Sequence, residues 1–118
     1  MRALIVDDSR AMRTILRRLA IESGYPEVTE AADISSARVA AVDGRPDVVV
    51  VDWHLPDGTA LDFVRGLRAE GDAATVVVLA PAGVTDASDL AREAGADDCV
   101  AKPFTGDDLR RRLSARAA

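Results

Sequence analysis

An α/β fold is predicted for this chain: a doubly wound, five-stranded parallel sheet with five helices. Three short runs, at 3–6, 48–51 and 75–79, are β-branched or apolar on successive residues, as strands covered on both faces must be. Segments with helical periodicity alternate with these runs, which requires right-handed crossovers between parallel strands. The composition is 48% hydrophobic but only 3% aromatic, so the core is built from Val, Leu, Ile and Ala, the residues that helix-covered strands use.

After the first strand, Met12, Ile15, Leu16 and Leu19 recur at i, i+3, i+4 and i+7, with Arg10, Arg13, Arg17 and Arg18 around them. That is an amphipathic first helix. Ser9 serves as its N-cap and Gly24 as its stop, before the Tyr25-Pro26 turn. Weaker runs at 28–29 and 98–101 complete the sheet at its flanks. Further helices fit 35–42, 59–68, 85–94 and 105–115, punctuated by Gly44, Pro46, Pro56, Gly58, Gly71, Gly95 and Pro103. A chain of 118 residues holds one core rather than two, so a single domain over 1–118 is expected.

Twenty acidic against fifteen basic side chains give a net charge of -5, the wrong sign for a protein that neutralises nucleic-acid phosphates. Cys99 is the only cysteine, which excludes an intramolecular disulfide and points to a reducing compartment, hence the cytoplasm. The four apolar residues before Asp7 and Asp8 are too few for a signal-peptide core or a membrane span.

In doubly wound sheets ligands bind beyond the carboxyl ends of the strands, and that is where the chemically capable residues fall. Asp7 and Asp8 close the first strand and Asp52 the third. Three converging carboxylates repel one another, and a hard cation such as magnesium relieves the repulsion and prepares the site for a phosphate. Lys102, the only lysine, follows the last strand and supplies a compact positive charge suited to a phosphoryl oxygen. The competing readings are ordinary ones: loop acids beside a helix cap, and an exposed lysine.

Val6-Asp7-Asp8-Ser9, Val50 through Gly58 with Asp52 inside it, Gly95-Ala96-Asp97-Asp98, and Val100-Ala101-Lys102-Pro103-Phe104 together resemble the response regulator receiver family over the whole chain. The resemblance implies a flavodoxin-like sheet of order 2-1-3-4-5. It implies Asp52 as phosphoacceptor, Asp8 and Asp52 as direct magnesium ligands, Asp7 as a ligand through water, and the backbone carbonyl of His54 as a further ligand. Lys102 would pair with Asp52 and then with the phosphoryl group, across a cis peptide bond to Pro103. The Asp-Asp-Ser-Arg run and Trp53 look most like the chemotaxis branch of the family. The His54 ring reads as an exposed loop side chain bordering the pocket, and Trp53 as a packing residue.

Several positions depart from the family pattern. Ala80 stands where the family has Thr or Ser, and the following Pro81 has no N–H to offer a phosphoryl oxygen. Cys99 replaces the Tyr, Phe or His that moves inward during switching. Thr59-Ala60 replaces a second Asp-Gly pair, a change that affects a turn. Arg110, Arg111, Arg112 and Arg116 line the last helix opposite Leu109 and Leu113, a solvated basic face or a partner surface.

The resemblance implies a non-enzymatic phosphoacceptor of a two-component phosphorelay. Its partners would be a histidine kinase or phosphotransfer protein and a downstream protein that binds the face made by the fourth helix, fifth strand and fifth helix. Ala80, Pro81 and Cys99 favour the alternative of a phosphorylation-independent interaction module. An aspartyl phosphatase of the haloacid dehalogenase type is opposed by His54, which stands two residues after Asp52 where those enzymes carry a second Asp.

Overall fold

The apolar runs become the strands β1 (Arg2–Val6), β3 (Val48–Asp52) and β6 (Thr75–Ala80) of the computed structural model, which describes residues 1–117. They are flanked by β2 (Glu27–Ala31) and β7 (Asp98–Ala101). All pairings are parallel and the order is β2-β1-β3-β6-β7. Among the described residues four helices connect them, α1 (Arg10–Glu22), α2 (Ile34–Gly44), α3 (Ala60–Ala69) and α4 (Ala87–Ala94), and a fifth, α5 (Gly106–Arg116), follows β7.

The central strands are apolar on successive residues because both faces of the sheet are covered. Ala3, Ile5, Val48, Val50, Val77 and Leu79 pack with Leu16, Leu19, Leu109 and Leu113, which α1 and α5 supply. The alternate residues Leu4, Val6, Val49, Val51, Val76 and Val78 pack with Ala37, Phe63, Val64, Leu67 and Ala91 of α2, α3 and α4. Trp53 lies in this second layer, 6% exposed.

Several boundaries differ from the sequence reading. The run at 28–29 is a five-residue edge strand, because pairing with β1 carries the polar Glu27 and Glu30 along with it. The stop expected for α1 agrees: the helix ends at Glu22 with Ser23 as C-cap, and Gly24 follows in the left-handed region at φ 105°. Helix α4 begins at Ala87 and not at 85, since Asp86 takes φ 59°, outside the helical region, and caps nothing with its side chain. Between β3 and α3 lies a short antiparallel hairpin, β4 (His54–Leu55) and β5 (Gly58–Thr59), which hydrophobic periodicity is too coarse to register. Among the described residues no helix is long and apolar enough to cross a membrane.

Candidate functional site

Strand register brings the charged residues to one edge. Val6 pairs with Val51 and Asp52 with Leu79, while Ala80 pairs with Ala101. The next residues along, Asp7 and Lys102, therefore flank Asp52 from either side, and the Lys102 N–H donates to the Ala80 carbonyl at 2.8 Å. Carboxylate oxygens of Asp7, Asp8 and Asp52 lie within 4.8 Å of one another. The Lys102 Nζ donates to Asp52 Oδ1 at 2.6 Å, and the peptide bond from Lys102 to Pro103 is cis.

The three acids differ in environment. Asp8 is exposed, Asp52 half-buried, and Asp7 only 1% exposed. Asp7 Oδ1 accepts the Ser9 N–H at 2.8 Å, but Oδ2 is buried without a partner among the described residues. A buried carboxylate oxygen left unpaired is costly. Together with two further carboxylates at this range it forms a donor set of hard oxygens that fits a divalent cation such as magnesium. Lys102 alone offsets one of the three negative charges.

Burial holds the Asp7 carboxyl above the ordinary carboxylate range; the Asp52 and Asp8 charges push it the same way, while the Ser9 N–H and Lys102 oppose them. A raised value in the folded state means that the folded protein keeps a proton which the unfolded chain has already lost. Stability of the cation-free protein therefore falls as pH rises from the unfolded value, about 3.9, through the folded one, and the loss persists at neutral pH. Asp7→Asn keeps an oxygen for the Ser9 N–H and removes the buried charge. Thermal melts without magnesium will show it a few degrees more stable than wild type, the shift that ~1 kcal/mol produces in a domain of this size. Magnesium will stabilise the wild type and not the variant. A lower melting temperature for Asp7→Asn without magnesium would contradict this account of the buried charge.

The remaining sequence candidates separate into two groups. Ala80 closes β6, 2% exposed, and Pro81 opens the loop beyond it. His54 opens the hairpin with its side chain exposed, and its ring is not part of the carboxylate cluster. Cys99 lies away from the cluster on β7, paired with Val78 and packed against the α2–α4 layer. Burial raises its thiol above the usual value, and the Asp98 charge adds to this. Ser9 caps α1 by accepting the Met12 N–H, and Thr59 forms a capping box with Asp62 on α3.

Two contacts around the cluster were not foreseen. Arg13, on the basic face of α1, donates to the Asp7 carbonyl at 2.8 Å and so ties α1 to the loop that bears the first two acids. Asp57 accepts from the amides of Ile34 and Ser35 at 2.8 and 3.0 Å, joining the β4–β5 hairpin to α2. The i, i+6 spacing of Arg13 from Asp7 offered a faint signal. Asp57 offered none, because its partners lie 22 and 23 residues away.

Residues 3–114 match the family model for the response regulator receiver domain. The chain is 37% identical over 110 residues to the KDP operon transcriptional regulatory protein KdpE of Escherichia coli, covering 93% of this chain and 48% of that protein. It is 38% identical over 114 residues to the response regulator MprA of a Mycobacterium species, covering 97% and 49%. The chain thus spans about half the length of these curated relatives. Among solved structures, the chemotaxis response regulator CheY4 of Vibrio cholerae superposes with a TM-score of 0.86 at 27% identity, covering 98% of this chain and 97% of that one.

Proposed function

The chain belongs to the response regulator receiver family, and from that premise we propose that it is a phosphoacceptor of a two-component phosphorelay, modified on Asp52. The observation that carries the reading is the 2.6 Å pair between Lys102 and Asp52 inside a cluster of three carboxylates. A carboxylate oxygen of Asp52 attacks the phosphorus of a phosphohistidine on the donor. The phosphorus–oxygen bond forms as the phosphorus–nitrogen bond breaks, and the imidazole nitrogen keeps the electron pair. Lys102 is placed to move from the carboxylate to a phosphoryl oxygen as charge develops there. Asp7, Asp8, Asp52 and the His54 carbonyl would hold magnesium, which when bound offsets negative charge on the transferring group. The Asp52 side chain is 13% exposed, so the donor must reach it along the strand edge. Beside Lys102 the approach is apolar, lined by Met12, Ile15, Pro81, Pro103 and Phe104.

Output follows through protein contact rather than catalysis by this domain, from residues 1–118 acting as one receiver unit in the cytoplasm. The face of α4, β7 and α5 suits a polar partner surface: Arg112 pairs with Asp98 and Asp108 at 2.9 and 3.1 Å, and Arg111 with Asp108. The net charge of -5 opposes direct contact with nucleic acid. The Asp-Asp-Ser-Arg run, Trp53 and the likeness to CheY4 support a chemotaxis output. A second reading, a receiver that binds its partner without phosphate, is favoured by Ala80 and Pro81, which remove two donors from the pocket. The two part on partner affinity, which changes with phosphorylation only in the first.

Magnesium titration followed by Trp53 fluorescence tests the cluster. Trp53 is the only tryptophan in the sequence, it directly follows Asp52, and its backbone N–H donates to the Leu79 carbonyl while its backbone carbonyl accepts the Ala60 N–H. Magnesium will quench or shift its emission, and Asp8→Ala will abolish the response. The same titration curve in that variant would place the cation elsewhere.

A further inference from the structure

A carboxylate outside the cluster fixes the segment that follows Asp52. Asp57, at the tip of the β4–β5 hairpin, spends both oxygens on α2: Oδ1 accepts the Ile34 N–H at 2.8 Å and Oδ2 the Ser35 N–H at 3.0 Å. These are the first two residues of α2, and the next amide, of Ser36, is taken by the N-cap Asp33 at 2.8 Å. Amides at a helix start have no partner within the helix and favour negative charge, so a bridging carboxylate there makes a firm joint. The neighbouring Gly58, at φ +151°, comes so close that a Cβ would fall 2.8 Å from Ile34 Cδ1. On its other side the hairpin runs into Thr59, whose capping box with Asp62 starts α3. The hairpin is thus fastened to α2 at its tip and to α3 at its end, while its first residue, His54, stands two after Asp52.

We propose that Asp57 is a positioning residue for the phosphoryl pocket: by bridging the Ile34 and Ser35 amides it holds the His54–Leu55 strand in place beside the Asp7, Asp8 and Asp52 carboxylates, and so sets the affinity for the divalent cation. The cation half of this rests on the magnesium reading above. Loss of a residue that served only as a helix cap would destabilise the fold equally with and without cation. Loss of a positioning residue destabilises the cation-bound form more.

Asp33→Ala provides the comparison, since it removes a cap from the same helix start through a side chain whose hydrogen bonds, among the described residues, go only to Ser36. Magnesium Kd from Trp53 fluorescence and amide hydrogen exchange at His54 and Leu55 without cation are to be measured on wild type, Asp33→Ala, Asp57→Ala and Asp57→Asn. Asp57→Ala will weaken magnesium binding by about 10-fold, as loss of a group that orients a ligand does, whereas Asp33→Ala will leave Kd within about twofold of wild type. Exchange at His54 and Leu55 will quicken in Asp57→Ala and stay at the wild-type rate in Asp33→Ala. Asp57→Asn, with one acceptor oxygen left, will fall between. Equal Kd shifts in Asp33→Ala and Asp57→Ala, or unchanged exchange at His54 and Leu55 in Asp57→Ala, overturn the proposal. A wild-type chain that binds no magnesium overturns the cation reading and the affinity half of the proposal, and the exchange rates then decide alone whether Asp57 positions the hairpin.

Discussion

Replacing Ala80-Pro81 by Thr-Ala will make phosphate form on this protein faster, persist longer, or both. Ala80 ends β6 at the level where its carbonyl accepts the Lys102 N–H, one strand away from Asp52. A hydroxyl there and an N–H on the next residue face a phosphoryl group only when Asp52 carries one, so they favour the modified state over the free one. That difference is what a population shift requires. A hydrogen bond to a charged group contributes about 1.5 to 3 kcal/mol, and one donor aimed at a developing oxyanion is worth on the order of a hundredfold in rate. Releasing the restraint of Pro81 costs about 0.4 to 1 kcal/mol, so the gain wins. Because Ala80 is 2% exposed, Ser in place of Thr is the companion variant, adding the hydroxyl with less bulk. Moving a two-state equilibrium from 1:99 to 99:1 takes about 5.5 kcal/mol, so partner affinity in the wild type will depend weakly on phosphate and in the double variant strongly. Labelling kinetics and partner affinity indistinguishable from wild type would mean that other groups already serve as the missing donors.

Asp52→Asn will abolish phosphoryl incorporation while leaving the fold intact. The amide oxygen is a poor nucleophile, and among the described residues no other carboxylate combines a strand end, the acidic cluster and Lys102. The variant keeps an oxygen to accept from Lys102, and it removes one of three mutually repelling charges, so the cation-free protein loses little stability. A circular dichroism spectrum and melting curve close to those of wild type, with no label, are the expected results.

What could be read locally was read from the sequence. Asp7, Asp52 and Lys102 each directly follow an apolar run, with Asp8 one residue further on, and since such a run is a buried strand, its end fixes the place of the residues that follow. The strand order came from the family resemblance and agrees with the sheet. The edge strand β2 was read as shorter than it is because its exposed face is polar, and the start of α4 was misplaced because periodicity does not report the left-handed backbone of Asp86. The roles of Arg13 and Asp57 were hidden for a further reason. Arg13 reads in the sequence as one of four arginines around an amphipathic helix and Asp57 has no reading of its own, and only tertiary packing brings the one to the Asp7 carbonyl and the other to α2.

Intact-mass measurement after incubation with acetyl phosphate and magnesium, on wild type and Asp52→Asn side by side, tests the phosphoacceptor assignment most directly. The wild type will gain the mass of one phosphoryl group, labile to hydroxylamine as an acyl phosphate is and mapping to Asp52, and the variant will gain none. Equal incorporation in wild type and Asp52→Asn, or none in either the wild type or the variant with Thr-Ala in place of Ala80-Pro81, would contradict it.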